Sequence, residues 1–318
     1  MPSKRGTILH INAKQTLHKR RQDSPLRKLQ NLQINSPKHL AYHLRCEYAD
    51  IQRCFDNHSS YCKHRTETKK GKTRRFDYAV GPLKKLLPRI KNLLQRIELP
   101  ESMHGGVKGK SPKTNAEVHV GKSAVLKFDL ANFFPSIHCT RVYRLFCGEL
   151  ECSPDVSRIL TKLVTVNHSL PQGFPTSTVI ANLVARKMVA RIENLAKKHE
   201  CNFTQFVDDG CLSGQAFIEN LRPTIDKIIC QEGFVASKKP HKRQTQYAFK
   251  EEQTVTGIKI NYRIDVPAMY LNEVTKEIQS GSYKNKNSIR GKIEHVRRLD
   301  RKKGEMLAKM LHQSLKKE

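Results

Sequence analysis

Two adjacent aspartates lie in Phe206-Val207-Asp208-Asp209-Gly210, and a third lies well upstream in Lys127-Phe128-Asp129-Leu130-Ala131-Asn132-Phe133-Phe134. Both segments are short apolar or aromatic runs that read as strands. A carboxylate buried in such a run costs free energy unless a cation neutralises it, and no arginine stands beside these acids in sequence. Three carboxylates carried by two strands therefore suit a site for a divalent ion. Hard cations such as Mg²⁺ take carboxylate oxygens, keep several waters and bind phosphates as well. Two such ions form the usual clamp for nucleotidyl transfer.

Charge points to the same class of substrate. The 318 residues carry 59 Lys+Arg against 29 Asp+Glu, a formal net charge of +30. Solubility alone does not require so lopsided a balance. Such a field attracts a polyanion, with counterion release supplying much of the affinity. No apolar run is long enough for a membrane span, and Met1-Pro2-Ser3-Lys4-Arg5 opens no secretory signal. An odd count of nine cysteines without such a signal implies free thiols in a reducing cytoplasm. Cys54, His58, Cys62 and His64 are close in sequence but match no standard zinc spacing, and ordinary helix residues are the expectation.

The pattern along the chain predicts an α+β fold. Residues 1–35 read as a basic arm. A helix is expected from Pro37 to Cys62, on Leu40, Leu44, Tyr48, Ile51 and Phe55. A cationic hairpin follows over 65–76, turning at Lys70-Gly71. Residues 82–98 read as an amphipathic helix with a kink expected at Pro88. Ala124–Phe134 is a strand running into a turn. Thr140–Leu163 is mostly helical, and Leu170–Ser177 is a loop opening a helix capped by Thr176 or Ser177. Asn202–Val207 and Cys211–Ser213 are strands joined by an Asp-Asp-Gly turn. Residues 217–232 form a helix, Val255–Ile260 a strand, and a helical region starts near Val266.

The order of three pieces is more specific than any one of them: Phe-Asp-Leu-Ala-Asn-Phe-Phe-Pro-Ser-Ile, then Leu-Pro-Gln-Gly-Phe-Pro-Thr-Ser, then Phe-Val-Asp-Asp. Over roughly residues 60–260 this resembles the palm of reverse transcriptases. Asn115-Ala116-Glu117-Val118-His119 looks like the N-A-x-x-H element of retron reverse transcriptases, and Val255-Thr256-Gly257 like their V-T-G element. The resemblance implies a right-hand polymerase fold with fingers, an antiparallel-sheet palm and a mainly helical thumb. Its division would be a basic arm (1–35), fingers and N-terminal helices (36–123), palm with interleaved fingers elements (124–262) and basic thumb (263–318). Two departures stand out. Phe206 replaces the usual tyrosine before the paired acids. The family's lysine after Gly233-Phe234 falls near Pro240, leaving Lys239 as the nearest substitute.

The resemblance implies an RNA-directed DNA polymerase using Mg²⁺. Asp129, Asp208 and Asp209 would hold the ions, with the carbonyl of Leu130 as a further ligand. Phe134 would clash with a ribose 2′-hydroxyl, while Phe133 belongs to the core. Gln172 and Gly173 would lie beside the incoming nucleotide, and Lys72 and Arg74 would meet its triphosphate. Val255, Thr256 and Gly257 would grip the primer. Asn115 and His119 would contact RNA. In the C-terminal segment Ile289, Ile293, Val296 and Leu299 form a packing stripe, with Arg290, Lys292, Arg297 and Arg298 turned toward an RNA groove. Partners implied are dNTPs, a cognate structured non-coding RNA primed from one of its own 2′-hydroxyls, the branched RNA–DNA product, and a separate effector protein in antiphage defence. The rivals are another small bacterial reverse transcriptase and a non-catalytic RNA-binding protein on a decayed polymerase fold. Loss of a metal carboxylate would mark the latter, and all three are present.

Overall fold

The computed structural model of the protein describes residues 30–69 and 72–315. Most of the expected arm, and the Lys70-Gly71 turn, lie outside the described residues. The end of the arm does not behave as one. Leu32 and Ile34 are buried, and the 32–34 backbone pairs with Leu150 and Ser153. The apolar side chains there outweigh the basic character of the preceding segment.

The single helix expected from Pro37 to Cys62 is three: α1 (Pro37–Leu44), α2 (Tyr48–Asp56) and α3 (His58–Tyr61). Arg45, in a left-handed conformation, ends the first. Strands β1 (Cys62–Lys69) and β2 (Lys72–Ala79) form an antiparallel ribbon of their own. Helix α4 (Gly81–Leu94) runs on past Pro88, burying Leu83, Leu86, Leu87, Ile90, Leu93 and Leu94. Six such residues on one stripe outweigh the backbone hydrogen bond that the proline removes.

The sheet that matters has four strands in the order β4-β5-β3-β6: β3 (Ala124–Asp129), β4 (Asn202–Phe206), β5 (Asp209–Gly214) and β6 (Thr245–Tyr247), every pairing antiparallel. Side chains alternate between faces along a strand. Leu126, Phe128, Leu212 and Phe203 share the face that joins the main core. Asp129, Lys127 and Val125 share the other, opposite Asp209, Cys211 and Ser213. Helix α5 (Pro112–Glu117), opened by a Ser111–Thr114 capping box, and a small hairpin, β7 (Thr254–Val255) and β8 (Ile258–Lys259), lie on that second face. The strand expected over Val255–Ile260 is this hairpin. Thr256 and Gly257 both have positive φ (48° and 76°), which a two-residue primed turn needs. Its own cluster, Ala116, Val125, Cys211, Val255, Ile258 and Ile260, is small and separate.

Between β3 and β4 come α6 (Phe133–Ser136), α7 (Cys139–Arg144), a π turn (Leu145–Glu149), α8 (Pro154–Val164) and the long α9 (Ser177–Lys198). Thr176 occupies the N-cap of α9 but makes no capping bond, and its hydroxyl is buried without a partner. Ser177 instead donates to the Pro171 carbonyl at 2.6 Å. Residues 216–221 are a 3₁₀ turn leading into α10 (Arg222–Gln231). The C-terminal helices α11 (Ala268–Ser280), α12 (Lys286–Leu299) and α13 (Arg301–Leu315) enclose a core of Val274, Ile278, Ile289, Ile293, Val296, Leu307 and Leu311. Among the described residues no helix is long and apolar enough to cross a membrane.

Gly304 sets the approach of α13 to α12: a Cβ there would lie 2.5 Å from the Cα of Arg297. Gly304→Ala is expected to cost about 1–3 kcal/mol through forced separation of the helices. Hydrogen exchange should quicken in α11–α13 and not in β3–β5; unchanged protection in the bundle would refute this packing.

Candidate active site

Register brings the acids together. Asp129 closes β3 directly opposite Asp209, the first residue of β5, so two like charges face each other across one pair of strands, an unfavourable arrangement without a counter-cation. Asp208 stands in the turn between β4 and β5, its carbonyl accepting from the Leu130 N–H at 2.9 Å. The turn is Val207-Asp208 and not Asp-Asp-Gly, since Phe206 pairs with Asp209 and Gly210 already lies in β5. A Cβ on Gly210 would fall 2.1 Å from the Phe128 ring, so only glycine lets that ring pack over the strand.

Val207 adopts φ 60°, a strained region for a β-branched residue. The surroundings hold it there. The Gln205 side chain donates to the Val207 carbonyl at 3.0 Å, and the Gln205 backbone is tied to Ser102 and His104. Gly105 packs so closely beneath that a Cβ would lie 2.3 Å from the Val207 nitrogen.

A lysine supplies the cation. Lys242 Nζ lies 2.9 Å from Asp129 Oδ1 and 3.2 Å from Asp209 Oδ1. Burial works against its charge, but the bonds to both carboxylates outweigh that and raise its pKa. Sequence reading named no lysine for this role; Lys239, assigned there to the nucleotide, is exposed and precedes the 3₁₀ turn Pro240–Lys242, whose last residue is the one that reaches the acids. Burial chiefly, then the charges of Asp209 and Asp129, raises the Asp208 pKa. Asp209 is also raised by burial, with Lys242 opposing and Asp129 adding; its side chain is 51% exposed, so solvent damps that rise. Carboxylates held at a cost, converging on one ammonium, are a donor set of the right chemistry for a hard divalent ion.

Residues assigned to the nucleotide fall on the segment after β3, the loop before α9 and the β1-β2 ribbon. Phe133 is buried and meets Phe234, while Phe134 is only partly buried. Gln172 and Gly173 line a cleft with Arg65, Phe76 and Tyr78 of the β1-β2 ribbon. A Cβ on Gly173 would lie 2.2 Å from the Asp77 carbonyl oxygen, so this glycine docks the loop on β2. Arg74 is exposed opposite Glu67 on the ribbon, and Lys72 begins β2.

Asn115 and His119 require a correction. They are 1% and 0% exposed, so neither is a surface contact for RNA. His119 bridges two strands from beneath: Nδ1 lies 2.6 Å from Ser213 Oγ and Nε2 2.7 Å from Thr204 Oγ1. Burial pushes its pKa down to about 3, so the imidazole is neutral. The V-T-G turn is tied to the same helix, Thr256 Oγ1 donating to the Pro112 carbonyl at 3.0 Å. Together they cover the lower half of the aspartate face and leave its upper edge open. A cavity of about 180 Å³ remains between them, lined by Asn115, Lys127, Asp209, Lys242, Val255 and Gly257. The Asn115 Oδ1 is buried there without a partner.

The C-terminal cations also divide. Lys292 is half-buried and ties α12 to Glu277 of α11 at 2.5 Å, so it is a bundle contact and not part of an outward face. Arg297 and Arg298 share Glu294 on the surface, and Arg290 is exposed. The Cys54, His58, Cys62, His64 set does not assemble: His58 Nε2 meets Cys62 Sγ at 3.4 Å, while His64 points out along β1.

No protein-family model matches the chain. Over 156 residues it is 35% identical to the Retron Se72 reverse transcriptase of Salmonella heidelberg (strain 579083-10), covering 48% of this chain and 41% of that one. Over 237 residues it is 29% identical to the Retron Ec86 reverse transcriptase of Escherichia coli, covering 73% and 68%. Over 189 residues it is 30% identical to the Retron Mx65 reverse transcriptase of Myxococcus xanthus, covering 53% and 43%. Its sequence relatives are retron reverse transcriptases. The matches span from under half to about two thirds of those retron proteins' own lengths. In three dimensions the chain is similar to telomerase from Candida tropicalis, solved with a TWJ fragment of telomeric RNA, at a TM-score of 0.50 and 10% identity, covering 80% of this chain and 55% of that one. The fold is therefore the right-hand polymerase fold, with the retron-like N-A-x-x-H and V-T-G elements packed as one cap on its palm sheet.

His119 gives this cap a pH signature. Its folded pKa lies below its unfolded one, so the unfolded chain binds the extra proton. Stability is full above about pH 6.5 and falls as pH drops toward about 3. The loss between pH 6.5 and 5 is on the order of 2 kcal/mol. His119→Gln should flatten the slope of denaturant stability against pH in that window by about one proton; an unchanged slope would show that His119 titrates normally.

Proposed function

We propose that this chain is an RNA-directed DNA polymerase of the retron type. One observation carries the reading: Asp129 and Asp209 face each other at a single register and converge on one cation, with Asp208 on the adjoining turn. The retron relatives and the polymerase fold support it. Bound Mg²⁺ would supply activation of the attacking hydroxyl and charge neutralisation at the leaving pyrophosphate. Asp129, Asp208 and Asp209 would hold it, with the Leu130 carbonyl as a further ligand. Lys242 keeps the carboxylates together without it.

The remaining roles follow from placement. Lys72 and Arg74, both residues of the β1-β2 ribbon, would meet the triphosphate as fingers residues do. Gln172 and Gly173 join that ribbon to the palm beside the nucleotide. The half-open Phe134 ring stands on the segment leaving Asp129, where it would clash with a ribose 2′-hydroxyl. Val255, Thr256 and Gly257 border the cavity beside Asp209, next to a primer terminus. The exposed Arg290, Arg297 and Arg298 would lie against duplex phosphates as part of a thumb. The template is a cognate structured RNA that also primes through an internal 2′-hydroxyl, giving a branched RNA–DNA product; a separate effector protein and a role in phage defence complete this reading.

The rival, an RNA-binding protein without catalysis, predicts indifference to the carboxylates. The double variant Asp208→Asn/Asp209→Asn should abolish dNTP incorporation while RNA binding persists. Because it relieves crowded negative charge, it should also melt on the order of 2 °C higher than the metal-free parent and lose the further rise that Mg²⁺ gives the parent. Residual cDNA synthesis would overturn the metal assignment.

Phe134→Ala should raise ribonucleotide use relative to dNTP use by about tenfold or more, the equivalent of roughly 1.4 kcal/mol in sugar discrimination. Equal selectivity in parent and variant would remove Phe134 from the gate.

A further inference from the structure

Away from the aspartates, His138, Cys139 and His168 form the one group among the described residues whose ligand atoms could surround a metal ion. We propose that they bind a zinc-class divalent cation through one thiolate and two imidazoles, with solvent completing the coordination.

Geometry is the first argument. Cys139 Sγ lies 3.6 Å from His138 Nδ1 and 4.0 Å from His168 Nδ1. A tetrahedral zinc with ordinary Zn–S and Zn–N lengths separates sulfur from nitrogen by about 3.6 Å. The imidazoles flank the sulfur as stacked rings, centroids 5.9 Å apart and tilted by 15°. The His138 Nδ1 also faces the Thr140 N–H at 3.4 Å and its hydroxyl at 3.2 Å, long contacts that a metal bond would replace.

The backbone supplies the second argument. The three side chains come from two segments that are already fixed to each other. The Cys139 N–H donates to the His168 carbonyl at 2.8 Å, and the Leu170 N–H to the Ile137 carbonyl at 3.2 Å. Val166 and Ser169 close a tight turn whose central residues, Asn167 and His168, both have positive φ (48° and 63°). Glycine is the favoured second residue of such a turn. A histidine held there at a conformational cost points to a task for its side chain. Arg141, on the same helix, spends its guanidinium on the Glu232 and Gly233 carbonyls and the Phe234 ring and not on the Cys139 sulfur.

Chemistry then selects the ion. Thiolate and imidazole suit zinc and its neighbours and not magnesium, which takes oxygen. The site is thus distinct in kind from the aspartate centre and independent of the polymerase reading. Binding would release the Cys139 thiol proton to solvent as the sulfur–metal bond forms. It would also pin the end of the Phe134-bearing segment to the loop that continues to Gln172 and Gly173.

The test uses untagged full-length protein, stripped with chelator, kept reduced, and titrated with Co²⁺. The expected result is a thiolate-to-cobalt charge-transfer band saturating at one ion per chain and erased by added Zn²⁺. Cys139→Ser should lose the band. His168→Asn, whose side chain tolerates the left-handed backbone, should bind on the order of 100-fold more weakly, since even outer-shell changes cost about 10–100-fold. Cys230→Ser, at an exposed cysteine, and Asp208→Asn/Asp209→Asn should bind as the parent does. Absence of the band in the parent, or its survival in Cys139→Ser, would overturn the proposal.

Discussion

The pairing of Asp129 with Asp209 across β3 and β5 is the constraint around which this molecule is arranged. Two carboxylates at one cross-strand position repel, and burial raises the cost. Everything nearby serves to hold that arrangement. Lys242 reaches both oxygens. Gly210 admits the Phe128 ring on the opposite face, so that the strand beneath is anchored in the core. Gln205 and the Ser102–Gly105 segment fix Val207 in a conformation that it would not adopt alone. The outcome is a set of carboxylates that are expensive without a cation beside them.

The two retron-like elements acquire a physical meaning from the alternation of the palm strands. Residues on the aspartate face continue as Lys127 and Val125 on β3 and Cys211 and Ser213 on β5. Left bare, that half of the face would expose apolar surface and two hydroxyl-bearing strands. Helix α5 and the β7-β8 hairpin cover it together, Val255 and Ala116 filling the apolar part and His119 satisfying Ser213 and Thr204. The neutral imidazole suits this place because it can donate at one nitrogen and accept at the other. The cover stops short of the aspartates and leaves a cavity beside Asp209, where Asn115 keeps an unpartnered oxygen.

Much of this was legible in the residues. The two strands that carry the three acids, the alternation that put Phe133 inside and Phe134 at the edge, and the apolar stripe of α12 all follow from local pattern, although the turn between those strands is Val207-Asp208 and not Asp-Asp-Gly. The failures are equally physical. His119 was expected to contact RNA because the resemblance to the N-A-x-x-H element implied it, and nothing local reveals two hydroxyls waiting on other strands. Lys292 looked like part of a cationic face until Glu277 on the neighbouring helix claimed it. Lys242 was missed because a 3₁₀ turn changes which lysine points back, and counting along the chain cannot see that turn.

Pattern and composition settled the basic charge, the acids that need a cation, the strands that carry them and the resemblance to retron reverse transcriptases, because these depend on residue type and on spacing of a few positions. Register, the choice of Lys242, the burial of Asn115 and His119 and the meeting of His138, Cys139 and His168 were settled by folding. Each depends on which segments distant in sequence pack against one another, and that is fixed by the whole core at once and not by any stretch of it.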